Sequence, residues 1–167
     1  MSIAERDERS LSGMTMQSFA GSALFNRTFE EGMSLVEEAA RYFDGRGRED
    51  ARDLPGQTAM LYSSESLRVT TRLMQAASWL LVQRAVHEGD MAAEEAAAER
   101  YRLGSKEICL GSRGEDALAL PHTLQTLLTR SERLYIRVAR LEAVLRGPEQ
   151  SAGVRAQFER LEQAFGP

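Results

Sequence analysis

The chain has a single cysteine, a single lysine, two histidines and four prolines among its 167 residues. Each shortage closes a possibility. One cysteine, Cys109, cannot make an internal disulfide, and it fits a reducing compartment. Set in Ile108-Cys109-Leu110, it reads as a small buried hydrophobe rather than a nucleophile. His87 and His122, with that one cysteine, do not supply a closed zinc site, and no Glu-x-x-His spacing exists for a two-metal centre. Gly45-Arg46-Gly47 lacks the third glycine of a dinucleotide loop and follows no strand, and no Gly-Lys-Ser/Thr phosphate loop occurs. No metal, cofactor or catalytic cluster is expected, so the chain reads as a non-enzyme.

Long hydrophobic runs are also missing. The apolar stretch Leu73 to Val86 is broken by Gln75, Gln83 and Arg84 and falls short of the roughly 20 residues a membrane span needs. Met1 to Arg9 mixes acids and arginines without an apolar core, so it is no secretory signal, and a cytoplasmic protein is expected. The net charge of −4 argues against general attraction to nucleic acid. No segment sustains a two-residue alternation, which leaves no basis for a sheet.

What is present is helical periodicity. Residues 1–21 are polar and small, without a period, and are expected to be a flexible tail. Ser22 can cap a helix to Phe43, with Phe25, Phe29, Met33, Val36, Ala40 and Phe43 as its buried face and Asp44-Gly45 as its end. A charged loop, Arg46 to Asp53, follows. Asp53-Leu54-Pro55 then starts a long helix to about Glu88, closed by Gly89. Asp90 is placed to cap a short helix with acids in its first turn and Arg100 and Arg102 in its last. A connector spans 105–120. Pro121 opens the last strong helix, whose stripe is Leu124, Leu127, Leu128, Leu134, Tyr135, Val138, Leu141 and Leu145, with Gly147-Pro148 as its stop. The expected fold is all-α: an antiparallel three-helix bundle over residues 22–146, with a short extra helix and a C-terminal tail, 147–167.

Three features fit protein binding. On the long helix, Glu65, Arg68, Arg72, Trp79 and Gln83 fall in one narrow arc. They form either a solvent edge or an interface, since tryptophan and arginine dominate binding hot spots. On the interface reading, Trp79→Ala weakens association more than it lowers the melting temperature. The last helix carries Arg130, Arg133, Arg137 and Arg140 at helical steps. Such a ladder repels itself and needs acids nearby, from Glu30, Glu31, Glu37 and Glu38 of the first helix or from an acidic partner. In the tail, Val154, Phe158, Leu161 and Phe165 share one side of a possible short helix, which either docks on the bundle or orders on a partner.

Three blocks resemble a known family. Phe29 to Tyr42, Glu65 to Val86 and Ser131 to Leu141 are similar to the regulator of CtrA degradation (RcdA) family, over roughly residues 22–146. The resemblance implies a three-helix bundle that forms a homodimer. It also implies an adaptor that delivers cell-cycle regulators to the ClpXP protease with a response-regulator co-adaptor. No catalytic residues come with it. Tethering needs only modest binding surfaces, because it acts by raising local concentration. Two other readings stand beside it: a small helical ligand-binding bundle or enzyme, and a DNA-binding accessory protein using Arg130 to Arg140.

Overall fold

In the computed structural model, residues 19, 21–112 and 116–165 are described, with side chains to residue 146. Among them there is no strand. The elements are α1 (Ala23–Asp44), α2 (Arg46–Arg52), α3 (Gly56–Glu88), α4 (Ala93–Ala96), a 3-10 turn (Glu99–Tyr101), α5 (Lys106–Leu110), a second 3-10 turn (Ala117–Ala119) and α6 (His122–Phe165). The all-α expectation holds. Residues 1–18 and 20 of the expected N-terminal tail lie outside the described residues, whereas Phe19, expected in that flexible tail, is buried in the core.

Helix α1 begins where its cap allows. The Ser22 hydroxyl accepts from the Phe25 amide at 3.2 Å, relieving one of the donors a helix start leaves unmet. Its end is closed by Gly45, whose N–H donates to the carbonyls of Arg41 and Tyr42. Gly45 does this with φ −117°, outside the left-handed region in which glycine often ends a helix. Gly89 does adopt it, at φ 81°, and ends α3.

The buried stripe of α1 lies one residue away from the expected one. Phe25, Thr28, Gly32, Leu35, Ala39 and Tyr42 face the core, whereas Phe29, Met33, Val36 and Phe43 are half-buried flanks and Ala40 is exposed. The reason is closeness of approach. A methyl at Gly32 would stand 3.0 Å from Leu80 Cδ1 and 3.7 Å from Leu134 Cδ2, so α3 and α6 approach α1 most readily at this glycine and the buried face is centred on it.

The expected loop 46–53 is instead helical over Arg46–Arg52. Its Gly47 is buried under two tyrosines: Tyr62 donates to the Gly47 carbonyl at 2.9 Å, and Tyr42 donates to Asp50 at 3.0 Å. Asp90 does not cap the short helix α4; Ala92 stands at its N-cap. The charge order foreseen for that segment survives as Arg100–Glu95 and Arg102–Glu99 pairs.

The three long helices are not all mutually antiparallel. Arg130 meets Glu38 and Arg137 meets Glu31, so α1 and α6 run in opposite directions. Gly32 lies against Leu80 while Tyr62 reaches past the end of α1, so α1 and α3 do too. However, Arg72 reaches Leu128 and Glu132, while Trp79 and Gln83 line the same small cleft as Glu142 and Leu145. Helices α3 and α6 are therefore parallel. A parallel pair cannot be joined by a tight turn, which explains the long connector between Gly89 and Pro121. The stripe foreseen for α6 is buried from Leu124 to Leu141, with Leu145 at its margin.

Gly147-Pro148 does not stop α6, which continues to Phe165. A proline inside a helix removes one backbone donor, but the residues after it are mostly Ala, Glu, Gln and Arg, which favour helix strongly. Val154, Phe158, Leu161 and Phe165 thus belong to a helical segment continuous with the bundle, and their side chains lie outside the described residues.

A Cβ at Gly47 would sit 2.8 Å from both the Tyr42 carbonyl oxygen and the Tyr62 hydroxyl. Gly47→Ala is therefore expected to destabilise the fold by about 1–3 kcal/mol, as overpacking does. Gly56→Ala, with nothing within 4 Å, should be neutral or mildly stabilising. Thermal unfolding of both variants checks this; equal melting temperatures would contradict it.

Candidate protein-interaction faces

The arc Glu65, Arg68, Arg72, Trp79 and Gln83 lies inside the protein. Glu65, Arg72, Trp79 and Gln83 are buried, and the Arg68 side chain keeps only 18% of its exposure. This corrects the expectation that the arc forms a partner-facing edge. The chain between α3 and α6 returns across the arc, and Arg68 and Arg72 donate to its backbone carbonyls.

The details follow from hydrogen-bond satisfaction. Arg72 Nε donates to the Cys109 carbonyl at 2.8 Å and Nη1 to the Leu128 carbonyl at 3.1 Å, while Nη2 meets Glu132 at 3.4 Å. Arg68 donates to the Gly111 carbonyl and pairs with Glu65 at 3.3 Å. Further along, the Gly104 amide donates to Gln75 and the Leu103 amide to Glu142, each at 2.8 Å. Tyr135 donates to the Gly104 carbonyl at 2.8 Å. Buried peptide groups without partners are costly, and here polar side chains of α3 and α6 replace a secondary-structure ladder.

Trp79 is part of the same interior. Its ring stands 6.2 Å from that of Phe19, which packs edge-on against Phe25 at 5.6 Å. Cys109 is fully buried, and burial pushes its thiol up, away from the reactive thiolate.

The arginine ladder of α6 divides in two. Arg130 pairs with Glu38 at 2.6 Å and Arg137 with Glu31, so the first helix supplies the acids, as the first of the two sequence readings held. Arg133 and Arg140 are exposed and make no ion pair among the described residues. They stand seven residues apart on one side of the helix and form what remains of the expected cationic face.

One exposed apolar surface among the described residues is not singled out by the periodicity. Met60, Leu67, Met74 and Leu81 of α3 are between 52% and 77% exposed. Between Gly56 and Gln83 the helix carries only three charged residues, Glu65, Arg68 and Arg72, and all three point inward. The solvent side of α3 is consequently uncharged from Gly56 to Leu81. Beside it, Val36, Ala40 and Phe43 of α1 form one wall of a groove of about 330 Å³, and Thr70, Met74 and Ser78 contribute to the other. Apolar surface depleted of charge is the mark of an interface centre.

Residues 16–165 match a family described as a protein of unknown function, DUF1465. Among solved structures, RcdA from Caulobacter crescentus CB15 is 53% identical, with a TM-score of 0.64 over 77% of this chain and 96% of that one. The chain belongs to the RcdA family. The resemblance carried by the three sequence blocks is thereby established. No curated relative matches the chain. Among the described residues, no helix is long and apolar enough to cross a membrane, and no group of three or more His, Cys, Asp or Glu residues is placed to hold a metal.

Two measurements test the interior assignment. Arg72→Met leaves the Cys109 carbonyl without its donor and is expected to cost about 3–5 kcal/mol of stability. Trp79→Ala should cost a similar amount, about 3–5 kcal/mol, through loss of core packing. Chemical denaturation of both variants gives the numbers; a loss under 1 kcal/mol in both would return the arc to the surface. Burial also pushes the Tyr135 phenol up to about 12 from 10.0, with the Cys109 thiol adding to the effect. The unfolded chain then releases this proton first. Its contribution to stability is complete below pH 10 and declines as pH rises through about 12. Alkaline unfolding of Tyr135→Phe should accordingly show a shallower pH dependence in that window than the wild type.

Proposed function

We propose that this member of the RcdA family is a cytoplasmic, non-enzymatic adaptor. As a homodimer, and beside a response-regulator co-adaptor, it brings cell-cycle regulators to the ClpXP protease. Kinship with RcdA supports the reading, and the observation that carries it is how the polar groups are distributed. Arg68, Arg72, Gln75, Tyr135 and Glu142 are occupied in holding the connector, while the accessible surface offers an uncharged apolar face and two exposed arginines.

An adaptor requires surfaces of this kind. It must hold cargo and protease near each other, and the gain comes from effective concentration rather than from any chemical step. Arg133 and Arg140 suit an acidic segment on a partner, because an exposed arginine keeps its forked donors available for carboxylates. The DNA-binding alternative is disfavoured by the pairing of Arg130 and Arg137 with acids of α1, which halves the cationic ladder.

Reconstituted degradation tests the proposal. Purified ClpXP, the co-adaptor and a labelled regulator are incubated with and without the chain, and loss of label is followed. The chain should accelerate loss several-fold, and an Arg133→Glu/Arg140→Glu variant of unchanged melting temperature should do so less. Equal rates with and without the chain, across the regulators tried, would end the adaptor reading.

A further inference from the structure

The outward face of α6 has charge of one sign only. From His122 to Arg146 the helix has five arginines and two carboxylates, Glu132 and Glu142. Both carboxylates turn toward α3 and the connector, where Glu132 meets Arg72 at 3.4 Å and Glu142 accepts from the Leu103 amide at 2.8 Å. What the helix shows to solvent is Arg133 and Arg140, with half-buried Ile136 between them and half-buried Val144 beyond. These four fall within about a quarter of a turn of one another.

Helix α1 borders this strip on one side. Glu38 and Glu31 take up Arg130 and Arg137 there. Four residues before Glu31, Arg27 is exposed and makes no ion pair among the described residues. Because α1 and α6 run in opposite directions, Arg27 falls at the level of Arg140 and adds a third cation at that end. The spacing on α6 selects the shape of an occupant. Arg133 and Arg140 are about 10.5 Å apart along the axis. A second helix matches that with carboxylates seven residues apart on one side. An extended strand does not, since its same-side residues recur at about 7 Å or about 13 Å. Nucleic acid fits worse, because Glu31 and Glu38 would stand beside its phosphates.

We propose that the outward face of α6, formed by Arg133, Ile136, Arg140 and Val144 with Arg27 at its edge, is the docking site for an acidic helix of a protein partner. Two carboxylates seven residues apart on that helix take the forked donors of Arg133 and Arg140. An apolar residue midway between them lies on Ile136. Exposed ion pairs are individually weak, so the two pairs and the apolar contact act together, and salt weakens the complex. Arg130 and Arg137, already held by α1, set the limit of the site and keep it to a single row.

The assignment rests on the adaptor reading for its purpose and names the chemistry of one partner. Fluorescence anisotropy at low salt, with the full chain and labelled synthetic helical peptides, tests it. One peptide has two glutamates seven residues apart with a leucine midway. A second, of the same composition, has them five apart and so on different sides. The first should bind, and the second several-fold more weakly. Arg133→Glu/Arg140→Glu should weaken the first peptide by about tenfold or more while the melting temperature holds. Glu31→Gln/Glu38→Gln releases Arg137 and Arg130 and should tighten it several-fold, a gain that a misfolded variant could not give. Absence of binding at high micromolar concentration, equal binding of the two peptides, or unchanged affinity in either double variant would each overturn the site. So would a labelled DNA duplex that binds more tightly than the peptide and is lost with Arg133→Glu/Arg140→Glu. The degradation assay fails separately. Accelerated degradation without peptide binding would keep the adaptor reading and remove this site, and peptide binding without acceleration would do the reverse.

Discussion

The guanidinium of Arg72 is fully buried, and much else in the molecule follows from that placement. A buried cation is tolerated only when its donors are matched, and Arg72 finds the Cys109 carbonyl, the Leu128 carbonyl and Glu132. Two of these belong to α6 and one to α5, so a single side chain of α3 fixes both a helix neighbour and a connector. The demand runs in both directions. The connector has short helical turns but no ladder to satisfy its peptide groups, and without Arg68, Arg72, Gln75, Tyr135 and Glu142 it could not lie against the core. The parallel run of α3 and α6 depends on this. A connector of some thirty residues must come back along the bundle, and polar groups placed beneath it hold it there.

This internal use of charge has an external consequence. Helix α3 carries its charged residues inward from Gly56 to Gln83 and so has none left for solvent. The ordinary arrangement of a surface helix, apolar inward and charged outward, is partly reversed along it. Such a helix stays soluble only if its outer face is covered or is studded with small polar residues. Serine and threonine do that in part, between four large apolar side chains that remain exposed.

The same reversal decides what could be read from the sequence. Element types were legible where propensity and capping agree. Ser22, Pro55, Gly89 and Pro121 mark the long helices, and the leucine stripe of α6 is buried as its spacing requires. The rotation of α1 was not legible, because the sequence shows Phe29 and Met33 as the conspicuous apolar residues. Contact is instead close at Gly32, where the missing side chain lets Leu80 in. The arc from Glu65 to Gln83 misled for a related reason. Polarity marks a residue as outward only if nothing inside needs a donor, and the carbonyls at Cys109, Gly111 and Leu128 acquire that need through tertiary structure. A signal was nonetheless present. Three charges on one side of the stretch from Gly56 to Gln83, with none on its opposite side, is an arrangement a solvated helix has no reason to adopt.

Placement of the arginines on α6 carries the same logic to the surface. Arg130 and Arg137 stand over α1 and are answered by Glu38 and Glu31, while Arg133 and Arg140 lie about a sixth of a turn away on the helix and make no ion pair among the described residues. Exposed pairs of this type contribute little stability, typically about 0–1 kcal/mol. Arg133 and Arg140, which make no ion pair among the described residues, repel their neighbours on the ladder slightly. Folding alone gives no reason to keep four arginines where two meet acids. A surplus of exposed cations on one helix, next to a second helix with an exposed apolar face, leaves the molecule with two chemically distinct surfaces. Such a pair suits a protein whose work is to hold different partners at once.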